Sequence, residues 1–210
     1  MNRKPGIYSF ALVALLLIAG CRKNDLVSPQ EETRKKATPA TTATAAAGNV
    51  TYYLVKAGNP TPEQANAYQL IEAAMNEAVD YMNTYTSFTK SITVYYEPSV
   101  PTADGNINGT IRFGSNTYYM NTATALHEIA HTVGVGTTSY WRNVLIVNGI
   151  YTGVNATQVL RNISGDPAAE IHGDSQHFWP YGLNYPSEAT SPEDYVNHCL
   201  ILEGMKQDGL

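Results

Sequence analysis

The chain has little charge, little cysteine and no long apolar run beyond its N-terminus, and each shortage excludes something. Charged residues make up 15% of the 210, with 13 Lys and Arg against 18 Asp and Glu, for a net charge of −5. No block of Lys or Arg marks the body of the chain, so the positive footprint by which proteins hold a phosphate backbone is missing and nucleic acid is not an expected partner. Cys21 and Cys199 are too few for a disulfide framework. The apolar run from Ile7 to Ala19 is shorter than the roughly 20 residues that cross a bilayer. What remains is an apolar content of 43%, enough in 210 residues to bury one core, so a single domain with accessory segments is expected.

The first residues read as a targeting segment. Arg3 and Lys4 give a basic start, Ile7 to Ala19 an apolar middle and Gly20 a small end, the pattern of a signal peptide over residues 1–20. Leu17-Ile18-Ala19-Gly20-Cys21 resembles a bacterial lipobox. That resemblance implies cleavage before Cys21, diacylglycerol on its sulfur, and a protein held outside the cytoplasm by its lipid, at a bacterial cell membrane that includes the outer membrane or cell surface among its possible sites. More than one acyl chain gives the anchoring that a single chain cannot. Residues 21–48 turn polar and then Thr/Ala-rich after the lipidated Cys21, as a flexible tether does. Cys199 is then left without a partner, and its setting in Cys199-Leu200-Ile201-Leu202 predicts a buried, inert thiol.

Residues 49–210 carry the patterns of a folded domain of the α+β class. Thr51 to Val55 is rich in strand formers. Thr61 and Pro62 open a helix in which Ala67, Leu70, Ile71, Ala74, Met75, Ala78, Val79 and Met82 recur at helical steps as far as Tyr85. Ile92, Val94 and Tyr96 alternate in a second strand, Ser91 to Glu97, and Gly109 to Gly114 gives a third. Between these two, Pro101 to Gly109 lacks the ligand spacing of a calcium loop and reads as a turn. A helix from Thr122 to about Val133 stops at Gly134. Beyond it come a helix capped by Asn155, an irregular aromatic stretch from His172 to Tyr185, and a last helix from Pro192 to Lys206, so the C-terminal half is mostly helical and irregular.

His127-Glu128-Ile129-Ala130-His131 carries the chemistry. Residues four apart lie about 40° apart on one helix face, so both imidazoles reach one metal ion. Glu128 is then a general base, free of the metal and beside it, for water attacking a carbonyl. Ala125, Leu126, Ile129, Ala130 and Val133 give this helix a side to bury.

Through Thr132-Val133-Gly134 the segment resembles the metzincin pattern H-E-x-x-H-x-x-G-x-x-H of the zincin metallopeptidases, and it departs at the last position, where Thr137 stands. The resemblance implies one catalytic Zn2+, a peptide or protein substrate, and a small mixed sheet whose edge strand lies beside the active-site helix, the part expected of Gly109 to Gly114. A Thr hydroxyl is a poor zinc ligand, so either the third comes from elsewhere or the site is impaired. His177, set among Phe178, Trp179 and Pro180, ranks first; His172, Asp174 and Glu170 follow. Asp174 is alternatively an acceptor that holds a ligand imidazole. Tyr181, or else Tyr185, is the expected donor to the oxyanion.

The expected protein is a lipid-anchored, exported, monomeric zinc peptidase. Two other readings stand beside it: a surface lipoprotein that uses a zincin scaffold only to bind a glycan or protein, and an amidase acting on cell-wall peptides. Replacing Cys21 with Ser is expected to move the protein from the membrane to the soluble fraction of its host; retention in the membrane fraction would refute lipid anchoring.

Overall fold

The computed structural model describes residues 48–210, a mixed α+β unit. The signal peptide, Cys21 and nearly all of the tether lie outside the described residues. The main sheet has the order β1-β2-β4-β3, with β1 Asn49–Val55, β2 Thr89–Tyr96, β3 Ala103–Asn106 and β4 Thr110–Phe113. β1 and β2 run parallel, as do β2 and β4, whereas β3 pairs antiparallel with β4. The period of two is plain in the burial: Val50, Leu54, Ile92, Val94, Ile111 and Phe113 all point into one core.

Parallel pairing of β1 and β2 requires a crossover, and α1 Pro62–Tyr85 supplies it. Its start is fixed by a capping box: Gln64 N–H donates to Thr61 Oγ1 at 3.2 Å and Thr61 N–H donates to Gln64 Oε1 at 2.9 Å. Ala67, Ile71, Ala74, Met75, Ala78 and Met82 form its buried stripe. Against the same core lies α2 Thr122–Thr132, capped by Asn121, whose Oδ1 accepts from Thr124 N at 3.0 Å. Leu126 and Ile129 of α2 are fully buried.

The segment expected to be a turn, Pro101 to Gly109, contains β3, and only its end turns, through Gly109 at φ 83°. Asp, Gly and Asn are poor strand formers, but tertiary contacts override that preference here. A Cβ at Gly105 would overlap the Glu128 carbonyl, so a glycine lets the strand lie directly on α2. Asp104 pairs with Arg112 across the hairpin, Arg112 Nε donating to Asp104 Oδ1 at 2.9 Å. The open edge of the sheet on this side is therefore β3, and β4, the Gly109 to Gly114 strand expected there, is paired on both sides.

The C-terminal half holds α3 Val154–Ser164 and α4 Pro192–Gln207 around a second small sheet of two-residue strands: β5 Ile146–Val147, β6 Ile150–Tyr151, β7 His172–Gly173 and β8 Phe178–Trp179. The stretch from His172 to Tyr185, read as irregular, thus contains a short β-ladder. The cap of α3 also differs from expectation. Gly153 occupies the N-cap position, and Asp208, from just past α4, satisfies the free N–H groups, its carboxylate accepting from Asn155 N at 2.9 Å and Ala156 N at 3.0 Å. Asn155 itself donates its side-chain amide to Asp208 at 2.8 Å.

α3 and α4 meet through their smallest residues. A Cβ at Gly204 would lie 2.6 Å from Ala156 Cα. Gly204→Val is expected to destabilise the fold by about 1–3 kcal/mol through overpacking, read as a fall in Tm; an unchanged Tm would mean that the helices do not cross this closely.

Candidate metal centre

α2 carries His127 and His131 one turn apart, with ring centroids 4.7 Å from each other and Nε2 atoms 3.1 Å apart. The other nitrogen of each ring faces a backbone carbonyl: His127 Nδ1 is 2.8 Å from Gly182 O, and His131 Nδ1 is 2.9 Å from Val135 O. A carbonyl only accepts, so both Nδ1 atoms carry hydrogen and a neutral ring presents a bare Nε2 lone pair. Burial, with His131 second, pushes the pKa of His127 down to about 3, and burial lowers that of His131. Neither ring thus holds a second proton near neutrality. Two lone pairs facing across 3.1 Å repel, and a cation between them relieves it.

A third imidazole completes the set. His177 lies 5.5 Å from the His127 ring and 5.9 Å from the His131 ring, and the candidate ligand atoms of these residues all fall within 4.8 Å of one another. Imidazole nitrogens clustered this tightly suit Zn2+, and a set of three leaves a fourth position open.

His177 is brought in by a tight turn between β7 and β8. Asp174 Oδ1 accepts from Gln176 N at 2.7 Å and from His177 N at 2.6 Å, and lies 3.5 Å from His177 Nδ1. Burial raises the pKa of Asp174, but these N–H groups and His177 outweigh it and hold the carboxyl below its ordinary value. Asp174 therefore orients the imidazole. The turn is pressed against the chain leaving α2: Gly136, at φ 67°, has a Cβ position that would overlap the Gln176 backbone, and Trp141 Nε1 donates to Asp174 O at 3.0 Å.

Thr137, at the place of the third metzincin histidine, donates its hydroxyl to His131 O at 2.7 Å and so closes the end of α2. His172 and Glu170 are exposed and do not line the cleft. Nor does Tyr181. Its backbone is left-handed at φ 63°, its ring packs against the core, and its carbonyl accepts from His198 Nδ1 at 2.7 Å. Tyr185, 63% exposed, and Tyr119 do line the cleft.

Glu128 is 5% exposed, and its Oε2 has no hydrogen-bond partner among the described residues. Burial, and then the charge of Asp104, raise its pKa to about 8. A carboxyl tuned near neutrality is suited to proton transfer. It opens onto a cleft of about 660 Å³, walled by β3 on one side and by Trp179, Leu183, Asn184 and Tyr185 on the other, a size common for ligand sites.

The residues that sequence reasoning passed over are those that hold the ligands. The carbonyls of Val135 and Gly182 carry no side-chain signal, and His198 lies far along the chain, just before the apolar run Cys199 to Leu202 of α4. Cys199 beside it is fully buried, as its neighbours predict, and burial raises its pKa.

Compared with known proteins, the chain matches no protein family, no curated protein and no solved structure. The chemistry of the donor set therefore carries the reading of this centre.

Burial pulls the pKa of His198 from 6.5 down to about 4. The unfolded chain takes up this proton near 6.5 and the folded chain only near 4, so the stability is present above the higher value and is lost as the pH falls through that window. The loss is on the order of 3 kcal/mol. Denaturant unfolding in chelator is expected to show this decline on top of the one that His127 contributes, and His198→Asn to make it shallower; an equal slope in the variant would assign the proton uptake to other groups.

Proposed function

We propose that this chain is a zinc-dependent metallopeptidase of the zincin type. The observation that carries the reading is the pair of bare Nε2 atoms 3.1 Å apart with a third imidazole beside them. His127, His131 and His177 would hold the ion. Bound there, Zn2+ would supply a Lewis acid that makes water acidic near neutral pH and polarises the scissile carbonyl.

The chain's own residues account for the rest of the chemistry. Glu128, whose carboxylate form a cation at the three imidazoles would favour, takes the proton of the attacking water and returns it to the leaving amine. The burial of its Oε2, unpaired among the described residues, costs stability, and a protein that only binds has no use for that cost. This favours turnover over a binding-only role. Tyr185, on the cleft wall, is the candidate donor to the developing oxyanion, in place of Tyr181. The free edge of β3 borders the cleft at Ala103, Asp104 and Gly105, where an extended peptide can add as a further strand. An edge strand beside the metal-bearing helix is also what the zincin resemblance implies, although β3 and not the Gly109 to Gly114 strand takes that place. With the lipobox at Cys21, the reading becomes a lipid-anchored peptidase working outside the cytoplasm.

Elemental analysis of the full chain is expected to find about one zinc per molecule, lost in His131→Ala and His177→Ala. Glu128→Gln is expected to keep the zinc and to lose cleavage of a mixed peptide library by about 10²-fold or more. Unchanged cleavage in that variant would sink the mechanism, and wild-type protein that takes up no zinc from supplemented buffer would sink the metal reading.

A further inference from the structure

We infer that His198 is a positioning residue of the metal centre: from α4 it holds, through the Tyr181 carbonyl, the turn that fixes His127. The inference rests on the metal reading proposed above. Two helices reach adjacent carbonyls of one turn. His198 Nδ1 donates to Tyr181 O at 2.7 Å, and His127 Nδ1 donates to the next carbonyl, Gly182 O, at 2.8 Å. Tyr181 and Leu183, on either side of Gly182, are both left-handed, at φ 63° and 55°, a conformation that residues other than glycine keep only where the surroundings impose it. Gly182 is confined as well, since a Cβ there would overlap the Phe178 carbonyl.

The same imidazole braces the third ligand. Its ring stacks on Phe178, with centroids 5.8 Å apart and planes 20° apart, and Phe178 is the neighbour of His177. His198 is fully buried and does not line the cleft, so it acts on the centre from behind, through these two contacts and the Leu126 backbone of α2. A purely packing role does not account for it. His198 Nε2 makes no well-formed hydrogen bond among the described residues and has only the Leu126 backbone of α2 within reach, a cost that an apolar ring would avoid. What the imidazole adds over such a ring is the Nδ1–H aimed at Tyr181. Groups that orient a ligand imidazole typically change metal affinity 10- to 100-fold when removed.

The test measures zinc affinity of the full chain by chelator competition, and the visible spectrum of the Co2+-loaded protein, for wild type, His198→Phe, His198→Asn and Leu202→Ala. His198→Phe keeps the stack and removes the donor; it is expected to bind zinc about 10- to 100-fold more weakly and to alter the Co2+ bands. His198→Asn restores an N–H and is expected to stay close to wild type. Leu202→Ala loosens the fully buried side of α4 and is expected to lower Tm without changing affinity or spectrum. Should His198→Phe fail to fold, His198→Met takes its place with the same expectation. Wild-type affinity and spectrum in the folded donor-less variant would overturn the inference, as would an equal loss of affinity in Leu202→Ala. Absence of zinc from the wild type would overturn the metal reading and this inference with it, an outcome distinct from a wild type that binds and a variant that binds equally well.

Discussion

The centre depends on where two hydrogens sit. With Nδ1 of His127 committed to Gly182 and Nδ1 of His131 committed to Val135, both rings are forced into the tautomer that bares Nε2, and the helix spacing turns those bare atoms toward each other. Neither ring relieves the repulsion by rotating without giving up its carbonyl, and a buried N–H left unpaired is costly. Burial then keeps a second proton away. A few local constraints thus leave a cation as the group that fits.

Those constraints come from widely separated parts of the chain. The Val135 carbonyl is local, delivered by the reversal at Gly134, where φ is 131°. The Gly182 carbonyl and His177 arrive from the small C-terminal sheet and the turn after it, and they are seated by contacts at Gly136, Trp141 and Asp174. α2 alone supplies two imidazoles with no defined tautomer. The docking of the C-terminal half turns them into a site, which is why so much of that half is spent on tight turns, short ladders and a cap supplied by Asp208.

Sequence disclosed the parts of this arrangement that repeat or that hydrogen-bond locally. The helical period of α1, its opening at Thr61 and Pro62 and the alternation in β2 were legible because each is set within a few residues. His127, Glu128 and His131 were legible because four-residue spacing has one geometric meaning on a helix. His177 could be ranked from its bulky neighbours, but its placement depends on a turn held by Asp174 and Gly136. β3 was hidden by Asp104, Gly105 and Asn106, whose propensities argue against a strand and whose pairing comes from β4 and α2. Tyr181 was misjudged because its left-handed backbone cannot be read from residue type: the carbonyl is used and the ring goes to the core. His198 has no local signature at all.

An open strand edge is also an invitation to other chains, and β3 answers it with brevity. It spans Ala103–Asn106, carries Asp104, paired with Arg112 across the hairpin, and meets α2 on one face. Edges that are short and charged are poor templates for sheet extension between copies of a protein. With four residues, β3 offers few free backbone groups along that edge, fewer than a growing sheet between copies would draw on.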